Sequence, residues 1–134
     1  MILDTSGLLC LHHKAEPYHL QASILYKQAQ NLLTHSYVLA EFVALATARR
    51  LPRLPALTYI ADLLEHPDLE MVWVDEALHR EAMTLLFSRQ DKIYSLCDAV
   101  SFILMRQHNL TVALTTDRHF EQEGFRKLLG ETVS

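Results

Sequence analysis

The sequence predicts an α/β fold with a mainly parallel central sheet. Short apolar, β-branched runs alternate with longer segments of helical period, and such alternation calls for crossover helices between parallel strands. The composition agrees: Leu and Ala are abundant, while only three Gly and four Pro interrupt the 134 residues. That length fits one domain spanning 1–134, long enough to bury a sizeable core. No internal repeat, low-complexity tract or linker divides it.

The elements follow in order. Met1–Asp4 reads as the first strand, with Thr5 or Ser6 placed to cap a short helix. Pro17 opens a helix whose inward stripe, Tyr18, Ala22, Leu25 and Ala29, matches a period of about 3.6. Leu32–His35 is a short second strand, and Ser36 is placed to cap an apolar helix from Tyr37 to Arg49. Pro52 and Pro55 punctuate the turn into a helix ending near His66-Pro67. Leu69–Val74 is the next strand, and Asp75 is the N-cap of a helix reaching Ser88. Arg89–Tyr94 is a polar connection, and Ser95 starts a second apolar helix to Gln107. Thr111–Leu114 is the clearest strand. From Phe120 to Leu128 come a short turn, a break at Gly124 and an edge strand.

Charge narrows the function. The formal net charge is −4, from 12 Lys+Arg against 16 Asp+Glu, whereas a protein that holds nucleic acid by charge alone is usually basic. A bridging divalent cation would remove the objection, because it offsets two carboxylates. Cys10 and Cys97 are too few for a disulfide framework and too far apart for a CxxC metal motif. No secretory signal opens the chain, and no apolar run reaches the ~18–20 residues of a membrane helix. A cytoplasmic protein is the expectation.

Four carboxylates stand out by their surroundings. Asp4 ends the first strand, at the edge where parallel sheets bind ligands, although it could equally cap the next helix. Glu41 is the one acid in an apolar helix, where burial would demand a partner or a metal; the alternative is a narrow solvent stripe shared with Arg49. Asp98 is the only charge between Leu96 and Met105 and completes a Ser95-x-x-Asp98 capping box, which competes with a metal role. Asp117 follows the Thr111–Leu114 strand, where a turn role is also open. Together they suggest one convergent acidic pocket. Crowded carboxylates repel and raise one another's pKa values, and hard, oxygen-seeking cations such as Mg²⁺ or Mn²⁺ relieve that repulsion. Such a site suits phosphodiester displacement.

The motifs are similar to those of a known family. Ile-Leu-Asp-Thr-Ser-Gly-Leu-Leu at 2–9 resembles the opening strand of PIN domains. Ser-Leu-Cys-Asp-Ala-Val-Ser-Phe at 95–102 and Leu-Thr-Thr-Asp-Arg-His-Phe-Glu-Gln-Glu-Gly-Phe at 114–125 resemble the two later motifs of the VapC-like toxin branch. The resemblance covers nearly the whole chain. It implies a three-layer α/β/α sandwich, a metal-dependent endoribonuclease using Mg²⁺ or Mn²⁺, a homodimer, and a small antitoxin partner. Carried over by position, Asp4, Glu41, Asp98 and Asp117 would be both catalytic residues and metal ligands, with Ser6 and Thr115 orienting carboxylates or water. One departure is Cys97, standing where these motifs usually carry Thr.

Other features weigh less. The eight histidines lack the i,i+4 spacing of a helical metal pair and read mostly as surface residues. Lys14, Arg89, Lys92 and Arg118 lie near the acidic segments and could steer phosphate, or simply be solvated; Arg49, Arg50 and Arg53 suit a helix C-terminus as well as RNA. The main rival function is a catalytically silent PIN-like module that binds RNA or protein. A phosphatase with an aspartate nucleophile ranks behind, because its second Asp would fall on Ser6.

Overall fold

The computed structural model describes residues 1–130, so the end of the expected domain, 131–134, lies outside the described residues. The chain runs β1 (Ile2–Leu3), α1 (Thr5–His12), α2 (His19–Gln28), β2 (Leu32–His35), α3 (Ser36–Ala48) and α4 (Arg53–Leu64). It continues through β3 (Leu69–Val72), α5 (Glu76–Ser88), α6 (Leu96–Gln107), β4 (Val112–Leu114), α7 (His119–Gln122) and β5 (Arg126–Lys127).

Among the described residues, five strands form one sheet in the order β3-β2-β1-β4-β5, and every pairing is parallel. Ile2 stands opposite both Leu33 and Ala113, so β1 is the central strand. Side chains alternate between the two faces with the period of a strand. Leu3, Leu32 and Leu114 join the core under α1–α4, while Ile2, Leu33 and Ala113 join the core under α5–α7. The result is the three-layer α/β/α sandwich.

The chain order reverses direction across the sheet between β1 and β4. Such a switch point opens a crevice at the carboxyl ends of the strands, where ligands of α/β folds bind. Gly7 lets α1 press against that crevice: a Cβ there would lie 2.0 Å from the Leu114 carbonyl oxygen. Any side chain at position 7 would push the start of α1 off the end of β4.

Some helix starts follow the expected capping. Asp75 Oδ1 accepts from the Leu78 N–H at 2.8 Å. Ser95 and Asp98 exchange two bonds of 3.0 Å, a complete capping box. Others do not. Asp4 occupies the N-cap position of α1 without a side-chain cap bond, and Ser36, the first residue of α3, accepts from the Val74 N–H at 2.9 Å instead of capping. In both places a polar side chain at a helix start, the Asp4 carboxyl and the Ser36 hydroxyl, bonds to the segment after a neighbouring strand, which joins elements rather than ending one.

Candidate active site

The expected site residues sit at the carboxyl end of the sheet. Asp4 follows β1 and is buried; Thr115 and Asp117 follow β4 next to it; Asp98 lies in the first turn of α6 and is buried. Asp98, Asp117 and His119 each place one ligand-type atom within 4.8 Å of the others.

Hydroxyls organise Asp4. Thr115 Oγ1 donates to Asp4 Oδ2 at 2.7 Å and accepts from the Asp117 N–H at 3.0 Å. With Thr115's single proton given to Asp4, Ser6 is the donor in the 3.1 Å contact between Ser6 Oγ and Thr115 Oγ1. Ser6 Oγ in turn accepts from the Thr116 N–H at 2.9 Å. The network runs from α1 through β4 to Asp4 and leaves Asp4 Oδ1 buried with no hydrogen-bond partner among the described residues. Burial, together with the negative charges of Asp98 and Glu41, pushes the Asp4 carboxyl up to about 7 even though Thr115 opposes the shift.

Asp98 shows why a cap and a site residue need not compete. Its Oδ2 accepts both the Ser95 N–H at 3.0 Å and the imidazole of His119 at 2.8 Å. The cap therefore does not engage Oδ1. Burial, opposed by these bonds and reinforced by Asp117, raises its pKa. Asp117 makes an Asx-type turn, its Oδ1 accepting from the His119 N–H at 2.9 Å.

Glu41 departs from the expected burial. It is exposed on α3, whose buried face is Val38, Leu39, Phe42 and Ala46. The helix is apolar all round because its outer face carries Ala40, Ala44 and Ala48, small residues tolerated in solvent, and not because it is enclosed. Glu41 still borders the site, since its charge raises both Asp4 and Cys97. Cys97 is buried, and desolvation holds its thiol protonated next to the acids.

The structure also revises the basic residues and the histidines. Arg89 is committed to Glu123 through bonds of 3.0 and 3.2 Å, and Arg49 to Glu16 at 2.6 Å, so neither is a free phosphate contact. Lys14 and Arg118 remain exposed. Of the eight histidines only His108 is exposed; His35 is wholly buried, and His119 joins the acid cluster. His119 carries none of the i,i+4 spacing that marks a helical metal pair in a sequence. Its signal is the Asp117-x-His119 step, which an Asx turn folds back on itself.

The residues present fit a divalent cation. A buried carboxyl with an oxygen that has no hydrogen-bond partner among the described residues, in the field of a second buried acid, stays ionised at low cost only when a positive charge meets it.

Comparison with known proteins gives the same direction. The family model for the PIN domain matches residues 1–125. The crystal structure of Mycobacterium tuberculosis VapC20, a Sarcin-Ricin loop cleaving toxin, is similar at 26% sequence identity and a TM-score of 0.84, covering 92% of this chain and 95% of that one. No curated protein sequence matches the chain.

Proposed function

The chain belongs to the PIN domain family, and from that premise we propose that it is a Mg²⁺- or Mn²⁺-dependent endoribonuclease, the toxin of a toxin–antitoxin pair. The observation that carries the reading is the unpartnered, buried Asp4 Oδ1 beside the Asp98, Asp117 and His119 cluster at the switch point of the sheet. Asp4, Asp98 and Asp117, with Glu41 at the rim, are the proposed metal ligands and catalytic residues.

A divalent cation held there would activate water and stabilise the oxygens of a phosphodiester during in-line displacement. The protein's own part is orientation and field. Thr115 and Ser6 fix Asp4 through a hydroxyl relay, which spares the site a reorganisation when charge changes. The Ser95 cap fixes Asp98 on a helix N-terminus, whose positive end favours an anion. Exposed Lys14 and Arg118 flank the acidic segments and attract the RNA backbone toward an otherwise acidic surface.

The reading extends to partners. Leu20 and Ile24 on α2 and Leu54, Leu57 and Leu64 on α4 are exposed, offering an amphipathic antitoxin helix an apolar surface. Met83 and Phe87 on α5 are a separate exposed pair suited to a second copy of the chain. Free Cys10 and Cys97 suit the reducing cytoplasm in which such a toxin would meet RNA.

The test is cleavage of RNA by purified protein, with an RNA containing the sarcin–ricin loop as the first substrate. Cleavage with Mn²⁺ or Mg²⁺ that stops in EDTA is expected. Equal rates in excess EDTA would overturn the metal mechanism, and absence of cleavage under every metal condition would favour a silent binding module.

A further inference from the structure

Among the described residues, one imidazole stands inside the carboxylate cluster. His119 opens α7, and its Nδ1 lies 2.8 Å from Asp98 Oδ2 and 3.4 Å from Asp117 Oδ1. Tyr94 packs against the ring, with 5.3 Å between centroids, and the His119 N–H is bound to Asp117 Oδ1 at 2.9 Å. The ring is therefore held both by its backbone and by an aromatic neighbour.

A nitrogen so placed has two possible uses: it can bind a cation itself, or donate to an acid that does. The bonding of Asp98 decides between them. Its Oδ2 already accepts the Ser95 N–H at 3.0 Å, and His119 approaches that same oxygen. Two donors on one carboxylate oxygen fix the rotation of the group and leave the other oxygen as the ligand. Ligating carboxylates are commonly steadied in this way, and loss of the steadying group weakens metal binding.

We propose that His119 is a positioning residue whose Nδ1–H, with the Ser95 N–H, anchors Asp98 Oδ2 and so presents Oδ1 to the cation. This rests on the metal-dependent reading above. It also gives the capping box a second use: the backbone bond that starts α6 is one of the two that orient the acid. The neutral imidazole carries the donated proton in its Nδ1–H tautomer.

The experiment is calorimetric titration of Mn²⁺ into chelator-stripped protein, with thermal melting of each sample and a pulsed electron-spin spectrum of the Mn²⁺ complex. His119→Ala should weaken Mn²⁺ binding by about 10- to 100-fold. His119→Asn should restore most of it, because its amide nitrogen is a donor close to the place of Nδ1. The wild-type spectrum should show no directly bound nitrogen. Wild-type affinity in a folded His119→Ala protein would overturn the inference while leaving the metal site standing, and so would a nitrogen ligand in the spectrum. Should His119→Ala fail to fold, weak binding by folded His119→Asn would overturn it. Absence of Mn²⁺ binding by the wild type would remove both the inference and the metal-dependent reading.

Discussion

Thr115 Oγ1 donates to Asp4 Oδ2 at 2.7 Å, although the two residues are 111 positions apart in sequence. The contact joins the ends of β1 and β4, the two neighbouring strands at which the sheet order reverses. One hydroxyl therefore sets the rotation of a buried carboxyl and also accepts the backbone N–H of Asp117.

Thr115→Val keeps the shape of that side chain and removes all three bonds of its hydroxyl, to Asp4, from the Asp117 N–H and from Ser6. It should cost about 1–3 kcal/mol of stability, because a buried carboxyl oxygen and a backbone N–H lose their partner together. RNA cleavage should fall sharply, while Thr115→Ser should retain most of both properties. Urea denaturation and cleavage rates on the same samples check this, and a fully active Thr115→Val protein would show that the relay is not used.

Asp98→Asn should abolish cleavage with the fold intact. The Asn carbonyl oxygen can accept the Ser95 N–H and the His119 imidazole as Oδ2 does now, so the cap survives. In metal-free buffer the melting temperature should hold or rise, since burial disfavours the native charge at this position. Retained activity would reduce Asp98 to a capping residue.

The fold was legible in the sequence because its signals are local. Alternating apolar runs, the Asp75 cap and the Ser95-x-x-Asp98 box each concern residues close in the chain, and each appears in the structure. Glu41 was legible in identity but not in environment, because an Ala-rich face reads the same whether buried or exposed. Ser6 and Ser36 look like helix caps for the same local reason, yet their hydroxyls bond to segments 110 and 38 residues away. Gly7 carries no local signature at all: only the approach of Leu114 explains it. Distances in the sequence report helix faces well and strand-end neighbours poorly.

His35 predicts a pH dependence. It is wholly buried, its Nε2 is 2.8 Å from Ser101 Oγ, and burial holds its pKa down to about 3. An unfolded imidazole titrates near 6.5, so between those values the unfolded chain binds a proton that the native state does not. Stability contributed by His35 is therefore full above about pH 6.5 and falls as pH drops toward about 3, by up to about 1.4 kcal/mol per pH unit. Urea midpoints of wild type and His35→Gln near pH 7 and near pH 4.5 isolate the effect from other groups. The wild type should lose more stability than the variant, and equal losses would show that His35 does not supply the slope.

The partner surfaces predict separable defects. Leu20 and Leu54, 71% and 75% exposed, lie on α2 and α4 on the α1–α4 side of the sheet, while Phe87, 68% exposed, lies on α5 on the opposite side. If an antitoxin helix covers the first surface, replacing Leu20 and Leu54 by Asp places charges where apolar side chains would be desolvated. Each fully buried Leu contributes about 1.5–3 kcal/mol, so losing two should weaken the complex by a hundredfold or more. Copurification with a coexpressed cognate antitoxin should fail for the double variant, whose cleavage of RNA should remain at the wild-type rate. If two copies associate through α5, Phe87→Asp should act on that contact instead, shifting light scattering from dimer to monomer while the antitoxin still binds. The two defects separate because the surfaces lie on opposite layers of the sandwich. A double variant that still copurifies would place the antitoxin elsewhere, and a wild-type protein that is monomeric at every concentration would remove the dimer.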